Sequence, residues 1–291
     1  MVKALRWAGY GLAGVAGLAV LAAAGVWGMS AYALSRTVEP RPEHIVMAGA
    51  SAARGQHLAQ TATCLDCHGQ DLRGSKFLEE PGLATLNAPN LTLVAAKASD
   101  EQLAQAIRQG IGHDGRSLFI MPSSTYAAFT DQEVSDLIAF IRSLPRGGSE
   151  LPKMTLGPIG HIGVALGKFQ TQPALMARYR EHPALDVGPQ HVAGRHLAMT
   201  ICADCHASDL TGQEVKPGTV SPDLTVVGSY DKAQFAALMK TGLPPGGRHL
   251  QMMKDTSRNS FSHFTDQEVE QLFGYLQARA ARLQARSAST S

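Results

Sequence analysis

Two five-residue stretches decide how this chain folds: Cys64-Leu65-Asp66-Cys67-His68 and Cys202-Ala203-Asp204-Cys205-His206. Each has the C-x-x-C-H pattern, the attachment signature of c-type haem. Two thiols add to the vinyl groups at one edge of the porphyrin, and the adjacent histidine then binds the iron. The sequence therefore predicts two covalently bound haem c groups, held through Cys64, Cys67, Cys202 and Cys205.

Other chemistries also use two cysteines at this spacing. A thioredoxin-like redox pair and half of a zinc site both contain C-x-x-C. Neither requires a histidine directly after the second cysteine, and here that histidine occurs twice. The two motifs use all four cysteines of the chain, so no disulfide framework remains. The net charge of +2 gives no sign of a nucleic-acid partner.

An internal repeat organises the rest of the chain. In each unit a His-Leu-Ala stretch precedes the haem motif. Asp-Leu-x-Gly, Pro-Asn/Asp-Leu-Thr, a methionine and the identical hexapeptide Phe-Thr-Asp-Gln-Glu-Val follow it. These landmarks begin at His57, Asp71, Pro89, Met121 and Phe129 in the first unit, and at His196, Asp209, Pro222, Met253 and Phe264 in the second. A shared order of landmarks predicts two copies of one domain.

The local pattern predicts an all-α fold. Capping-box patterns at Ser99, Thr130 and Thr265 open amphipathic helices, a short helix is expected to lead into each haem motif, and no strand signal stands out. Asp66 and Asp204 are expected at the surface. The Pro-Asn/Asp-Leu-Thr stretches are either plain turns or polar contacts to haem propionates or to the loop backbone.

The N-terminal stretch from Trp7 to Ser35 carries no charged residue. A helix needs about 20 apolar residues to cross a bilayer, so this stretch is long enough. Lys3 and Arg6 precede it, which predicts a cytoplasmic N-terminus and haem domains on the periplasmic side of a bacterial inner membrane. The alternative is a cleaved signal peptide, since Ala31-Tyr32-Ala33 resembles a cleavage site. The apolar stretch exceeds the usual signal core of about 7–15 residues, so we expect a single-pass anchor.

These observations divide the chain into six segments. The predicted bounds are 1–35 for the cytoplasmic start and anchor, 36–49 for a tether, 50–145 for the first haem domain, 146–187 for a linker, 188–280 for the second haem domain and 281–291 for a frayed C-terminal tail.

The second axial ligand of each iron is expected to be a methionine, as is common in electron-transfer cytochromes. In the first unit Met121-Pro122 lies between a glycine-rich turn and the last helix, and it is favoured over His113. In the second unit several residues compete, and Met239 lies on the apolar face of a helix, which favours a core position. The remaining candidates there are Met252, Met253, His249 and His263.

The arrangement resembles the membrane-associated dihaem or multihaem cytochrome c subunits that serve periplasmic dehydrogenases of alcohols, aldehydes and sugar acids. Both haem motifs carry the resemblance, together with Ala88–Thr92, the loop from Gly110 to Pro122 and Phe261–Asp266. It covers roughly residues 50–280. Many such subunits carry three haems and a C-terminal anchor, whereas this chain has two haem motifs and an N-terminal apolar segment.

The resemblance implies two cytochrome c domains behind the anchor, each wrapping one covalent haem. The family places its methionine ligand ahead of a Phe-Ser-His stretch, and the matching position here is Met253, with Met252 packing against the domain or the loop. The implied iron ligands are therefore His68, Met121, His206 and Met253.

The implied function is electron transfer by a carrier that is not itself an enzyme. Single electrons would pass from a periplasmic dehydrogenase or a quinol-oxidising complex to a respiratory acceptor such as a terminal oxidase. Three alternatives stay open: the dihaem subunit of a high-affinity haem–copper oxidase, a dihaem peroxidase in which one iron lacks its sixth ligand, and a haem-based gas sensor.

Overall fold

A computed structural model of the chain describes residues 2–216, 218–248 and 250–289, so the rival ligand His249 lies outside the described residues. The chain is mostly helical, as the sequence predicts. A long apolar helix, α1 (Val2–Ser35), comes first. Its stretch from Gly9 to Ser35 has a mean hydropathy of 1.9 and is long and apolar enough to cross a membrane.

The last helix of the first domain contributes its apolar side to the hydrophobic core. Val134, Leu137, Ile138 and Ile141 on that helix are all buried, as their helical spacing predicts. The capping boxes predicted at Ser99 and Thr130 are both present. The helices are α2 (Ala52–Thr61), α3 (Cys64–His68), α4 (Leu91–Ala95), α5 (Asp100–Gln109), α6 (Ser123–Tyr126) and α7 (Asp131–Ser143).

Short strands, which the sequence did not predict, flank the haem motifs. β1 (Ser75–Glu80) and β2 (Ala84–Ala88) form an antiparallel hairpin, and β3 (Thr155–Leu156) from the linker pairs with β2. A second small sheet joins β4 (Glu214–Lys216) to β5 (Thr219–Val220). β2 alternates buried Ala84, Leu86 and Ala88 with half-buried Thr85 and Asn87, a strand signal that the sequence interpretation missed. β1 shows no regular alternation.

The linker is structured. It contains α8 (Pro158–Ala165) and α9 (Gln172–Glu181). The buried Gln172 accepts hydrogen bonds from the backbone N and the Oγ of Ser124, both at 3.0 Å, and thereby ties α9 to α6. The predicted linker therefore packs against the first domain.

The second domain has a similar order of helices, but its last helix is longer than that of the first domain. Its helices are α10 (Val192–Leu197), α11 (Ala203–His206), α12 (Lys232–Thr241), α13 (Gln251–Asn259) and α14 (Asp266–Ser289). Because α14 continues to Ser289, residues 281–289 are helical rather than the frayed tail that the sequence predicted. The Ala-, Arg- and Gln-rich composition of this stretch favours helix.

The approach to the haem motif differs between the two domains. The second unit has one residue fewer between His196 and Cys202 than the first has between His57 and Cys64. In the first domain Thr63 adopts a left-handed φ of 60° and α3 begins as a separate helix. In the second, a π-helical segment (Ala198–Cys202) joins α10 directly to α11. A helix runs straight into the motif only in the second domain, so the expectation for the first was wrong.

In each domain the first helix crosses the last helix in close contact at a glycine. A Cβ on Gly55 would lie 1.9 Å from the carbonyl oxygen of Asp136 on α7. A Cβ on Gly194 would lie 2.0 Å from the carbonyl oxygen of Gln271 on α14. No larger residue fits at either crossing without moving a backbone.

The two domains contact each other through a reciprocal pair of histidine–carboxylate bonds. His57 of the first domain lies 2.9 Å from a carboxylate oxygen of Glu268 in the second. His196 of the second lies 2.8 Å from a carboxylate oxygen of Glu133 in the first. All four residues occupy repeated positions, so the contact has approximate two-fold symmetry. We call these two contacts the reciprocal His–Glu pair.

Candidate haem-binding sites

Both motif histidines are held by a backbone carbonyl. The Nδ1 of His68 lies 2.9 Å from the carbonyl oxygen of Pro89, and the Nδ1 of His206 lies 2.9 Å from that of Pro222. A carbonyl can only accept, so Nδ1 carries the hydrogen and Nε2 is left with its lone pair. A hydrogen bond of this kind fixes both the tautomer and the ring orientation of a metal-binding histidine.

The electrostatics of these histidines favour the ligand form. Burial lowers the pKa of His68 and, similarly, that of His206, although the bonds to the proline carbonyls act in the opposite direction. Both imidazoles are therefore neutral at physiological pH. A neutral imidazole with a free Nε2 is the form that binds iron.

The repeated Asp-Leu-x-Gly loop connects the histidine to the proline turn. Gly74 N donates to the His68 carbonyl at 2.7 Å, and Gly212 N donates to the His206 carbonyl at 2.9 Å. The buried Leu72 has a left-handed φ of 55° and its carbonyl accepts from Leu91 N at 2.8 Å. Leu210 has a left-handed φ of 66°, and its carbonyl accepts from Leu224 N at 3.0 Å.

These loop residues are part of the site that sequence reasoning did not assign. The signal was available, because both the Asp-Leu-x-Gly and the Pro-x-Leu-Thr stretches recur at matching places. Their polar side chains bond the loop backbone, which was one of the two expectations. Asn90 accepts from Thr92 N at 3.0 Å and Asp223 accepts from Thr225 N at 2.8 Å.

The four cysteine thiols do not have the character of a redox pair. Burial raises the pKa of Cys64 and of Cys202 to about 12, that of Cys67 to about 11 and that of Cys205 to about 12. A reactive dithiol needs a lowered pKa, because the thiolate is the nucleophile. Within residues 2–216, 218–248 and 250–289, no three His, Cys, Asp or Glu side chains come together as a metal-ion cluster.

The predicted methionine ligands both lie at the edge of a domain core. Met121 packs, half-buried, against the same apolar cluster as Cys64, and Met253 packs in the same way against the cluster of Cys202. Met252 is 41% exposed, whereas Met239 is buried in the core as expected. The rival His263 is exposed.

One assumption about the second methionine was wrong. The sequence suggested an extended loop in which neighbouring side chains point in opposite directions, but Met252 and Met253 both lie on α13. Adjacent helical residues differ by about 100° around the axis. Met253 still faces inward and Met252 outward, so the preference for Met253 stands as a prediction. Each domain thus offers two cysteines, an oriented histidine and a half-buried methionine, a set that fits one haem.

The aspartates inside the two motifs differ in their surroundings. Asp66 accepts a hydrogen bond from Ser260 of the second domain at 3.0 Å, and burial raises its pKa. Asp204 is exposed, although desolvation by neighbouring residues raises its pKa to about 6. The expectation of a surface position therefore holds for Asp204, whereas Asp66 is half-buried against the second domain.

Comparison with known proteins agrees with this geometry. Residues 52–145 and 191–280 each match the family described as cytochrome c. The chain belongs to the cytochrome c family. Family membership implies haem c, and the two matched stretches each contain one of the motifs with its histidine and its methionine.

Two relatives of this cytochrome c chain refine the picture. It is 25% identical over 262 residues to the fructose dehydrogenase cytochrome subunit of Gluconobacter japonicus, covering 80% of this chain and 53% of that protein. It is 26% identical over 209 residues to a diheme cytochrome c-type protein of Cereibacter sphaeroides, covering 67% and 68% respectively. The chain thus spans about half the length of the first relative. The resemblance to dihaem cytochromes c and to dehydrogenase cytochrome subunits is confirmed.

Proposed function

We propose that this chain is a membrane-anchored dihaem electron carrier that passes single electrons from a periplasmic donor to a respiratory acceptor. One observation carries the proposal. Each domain presents the same set, in which the motif histidine donates Nδ1–H to a proline carbonyl and a methionine lies at the edge of the same core. Such a set would hold a haem iron through a histidine and a methionine and would leave no coordination position for a substrate.

The protein's contribution is attachment and orientation. A bound haem supplies reversible one-electron chemistry at its iron. The cysteines hold it covalently, and the proline carbonyls keep each histidine in one tautomer and one orientation. The thioether of Met121 or Met253 would complete the coordination, and a methionine ligand favours a higher reduction potential. A closed coordination sphere supports a carrier rather than a peroxidase or a gas sensor.

The arrangement of the two motifs supports transfer between the domains. Asp66, inside the first motif, bonds Ser260 of the second domain. The Tyr179 hydroxyl, from the linker, donates to the carbonyl of Ala203 inside the second motif at 3.2 Å. Both motifs therefore border the interdomain space. We infer that electrons enter at one haem and leave at the other.

The partners follow from the relatives and the anchor. A relative that is a dehydrogenase cytochrome subunit favours a periplasmic dehydrogenase as the donor, with a quinol-oxidising complex as the alternative. A terminal oxidase is the proposed acceptor. The apolar α1 would hold the chain in the bacterial inner membrane with the haem domains in the periplasm.

Haem content and carbon monoxide binding test this function. We expect two covalent haems per chain by pyridine haemochrome assay, and a haem-stained band after denaturing electrophoresis. Because both axial positions are filled, carbon monoxide should bind the reduced protein slowly and weakly. A colourless band or one haem per chain would contradict the cofactor assignment. A large, fast carbon monoxide difference spectrum would favour the peroxidase or sensor alternative.

Membrane attachment needs a separate test. The protein should remain in the membrane fraction after a high-salt wash, and mass spectrometry of the mature chain should find residues 1–35 intact. A mature N-terminus near Leu34 would show that the segment is a cleaved signal peptide.

A further inference from the structure

The linker helix α8 exposes an apolar stripe that the electron-transfer site does not use. Ile159, Ile162 and Leu166 are 59%, 46% and 70% exposed. Their spacing of three and four residues places them on one side of the helix. No charged residue interrupts the stretch from Pro158 to Leu166, and Lys168 follows it after one glycine.

The opposite side of α8 is seated firmly on the first domain. Gly160 and Val164 are buried. A Cβ on Gly160 would lie 2.4 Å from the carbonyl oxygen of Leu83, so the helix touches the turn between β1 and β2. Ile159 N also donates to the Gly82 carbonyl at 2.9 Å. The exposed stripe is therefore held in a fixed orientation.

The same helix contacts the proposed membrane anchor. The imidazole of His161 stacks on the indole of Trp27 with ring centroids 3.9 Å apart. His161 Nδ1 lies 2.9 Å from the hydroxyl of Ser30, which is fully buried. The contact lies near the C-terminal end of the apolar part of α1. Tryptophan is enriched at this level of a membrane, where hydrocarbon meets headgroups.

We propose that α8 lies on the outer surface of the membrane, with Ile159, Ile162 and Leu166 in the boundary between headgroups and acyl chains. The inference rests on the proposed anchor, because α1 brings the membrane surface to the level of Trp27. α8 packs against α1, whose apolar residues are themselves exposed, so lipid is the occupant adjacent to both helices. Short helices with one apolar face bind membranes in this way.

This second contact fixes the height of the first domain above the bilayer. A single helix followed by a flexible tether would let the domains swing freely. With α8 on the surface, α1 and the linker hold the first domain from two sides. The first haem would then face a membrane-embedded partner at a defined distance.

Spin labelling of the full-length, haem-loaded chain in phospholipid nanodiscs tests the proposal. A nitroxide on Leu166→Cys is compared with one on Leu18→Cys, in the middle of α1, and one on Val220→Cys, an equally exposed position of the second domain. Accessibility to oxygen, which partitions into lipid, is measured against accessibility to a water-soluble nickel chelate. Haem content and visible spectra establish that each variant is folded.

We expect the ratio of oxygen to nickel accessibility to be highest at Leu18, intermediate at Leu166 and lowest at Val220. A water-like ratio at Leu166 beside a lipid-like ratio at Leu18 would overturn this inference and leave the anchor standing. Shielding of Leu166 from both reagents would also overturn it, since a protein surface would then cover the stripe. A water-like ratio at Leu18 would overturn the anchor and the inference together.

Discussion

Beside the two motif histidines, the sites differ by one charge pair, in which the arginine is buried and the aspartate half-buried. In the first domain Asn90 donates from Nδ2 to the carbonyl of Gly147 at 2.8 Å. In the second domain Asp223 takes the place of Asn90 and binds Arg279, which is 1% exposed, at 2.8 Å. Asp223 directly follows the proline whose carbonyl holds His206. The second haem therefore has a compensated carboxylate near its histidine, and the first has none at that position.

Removing the cation should lower the reduction potential of the second haem. In Arg279→Gln the carboxylate of Asp223 loses its partner, and an uncompensated negative charge near the iron favours the oxidised state. Spectroelectrochemical titration should show a lower potential for one haem and no change for the other. In the double variant Arg279→Gln/Asp223→Asn the potential should return most of the way to the wild-type value, because both charges are then absent.

The matched control for this prediction is Arg142→Gln. Arg142 also binds a carboxylate, Asp100, and donates to the Ala95 carbonyl, but it belongs to the first domain. Arg142→Gln should leave the reduction potential of the second haem unchanged. A raised potential in Arg279→Gln, or the same shift in both variants, would show that the pair does not act through charge.

The second axial ligand is tested by two neighbouring substitutions. Met253→Ala should abolish the sulfur-to-iron absorption of the oxidised second haem and lower its potential. Met252→Ala should change neither, because this side chain points outward. The reverse result would make Met252 the ligand, and no effect from either would point to His249 or His263.

At the residue scale, the sequence predicted which side chains would bind haem but did not predict the backbone groups that position the two histidines. Cysteine, histidine and methionine can be recognised in a sequence because only these side chains carry the thiol, imidazole and thioether groups that the site needs. The acceptors of the histidine Nδ1 hydrogens are backbone carbonyls, which every residue has. Asp66 was misplaced because the contact with Ser260 comes from the opposite domain, which local sequence does not encode.

Among the helices, α10 crosses α14 at Gly194 almost as closely as α2 crosses α7 at Gly55. Gly194→Ala should lower the free energy of unfolding by about 1–3 kcal/mol, because the new methyl group would overlap the Gln271 carbonyl and force the helices apart. Gly274→Ala is the control, since its Cβ would meet nothing closer than 3.8 Å. It should be neutral or stabilise by up to about 1 kcal/mol through helix propensity.

Urea unfolding followed by far-ultraviolet circular dichroism measures both variants. Equal destabilisation by the two substitutions would contradict the close crossing. Haem content must be the same in both proteins, since loss of the cofactor alone would lower stability.

Helices were predictable to the extent that their signals are local. The capping boxes at Ser99 and Thr130, and the apolar stripe of α7, lie within a few residues of sequence, and all three were confirmed. Among the strands, the alternation of β2 was overlooked and β1 carries no regular alternation. β3 was not predictable locally, because it pairs with β2 across a long separation in sequence. The π-helical segment before Cys202 follows from one missing residue, whose accommodation depends on both flanking helices.

Across the whole molecule, the repeated hexapeptide has two tasks. Glu133 and Glu268 each cap their own helix through Thr130 and Thr265. Each also binds a histidine of the other domain. The sequence predicted the first task from spacing alone, but the second depends on how the domains dock.

Glutamine separates the two tasks, because it keeps a capping box but carries no charge. The double variant Glu133→Gln/Glu268→Gln should loosen the docking of the domains while leaving each domain folded. Amide hydrogen exchange should become faster in α2 and α10 and stay unchanged in α5. Glu270→Gln, which removes an exposed carboxylate paired with Lys232, is the control and should change none of them.

The pH dependence of this contact follows from Glu133. Burial raises its pKa, but hydrogen bonds from His196 and Thr130 outweigh that effect and the pKa is lowered overall. A lowered pKa stabilises the folded state above the unfolded value of about 4.3, and the contribution is lost as the pH falls through the folded value. Wild type should exceed the double variant in stability by about 1 kcal/mol or less at pH 6. A difference that persists at pH 3 in urea unfolding would contradict this origin.

The reciprocal His–Glu pair has the form of an isologous contact, in which one surface patch meets its own copy. Two separate chains of the first domain alone could make it, His57 of each meeting Glu133 of the other. Joining two such protomers in one chain preserves the contact and allows the two halves to differ in sequence. The charge pair of Asp223 and Arg279 is then a change that one half of the fused dimer carries and the other does not.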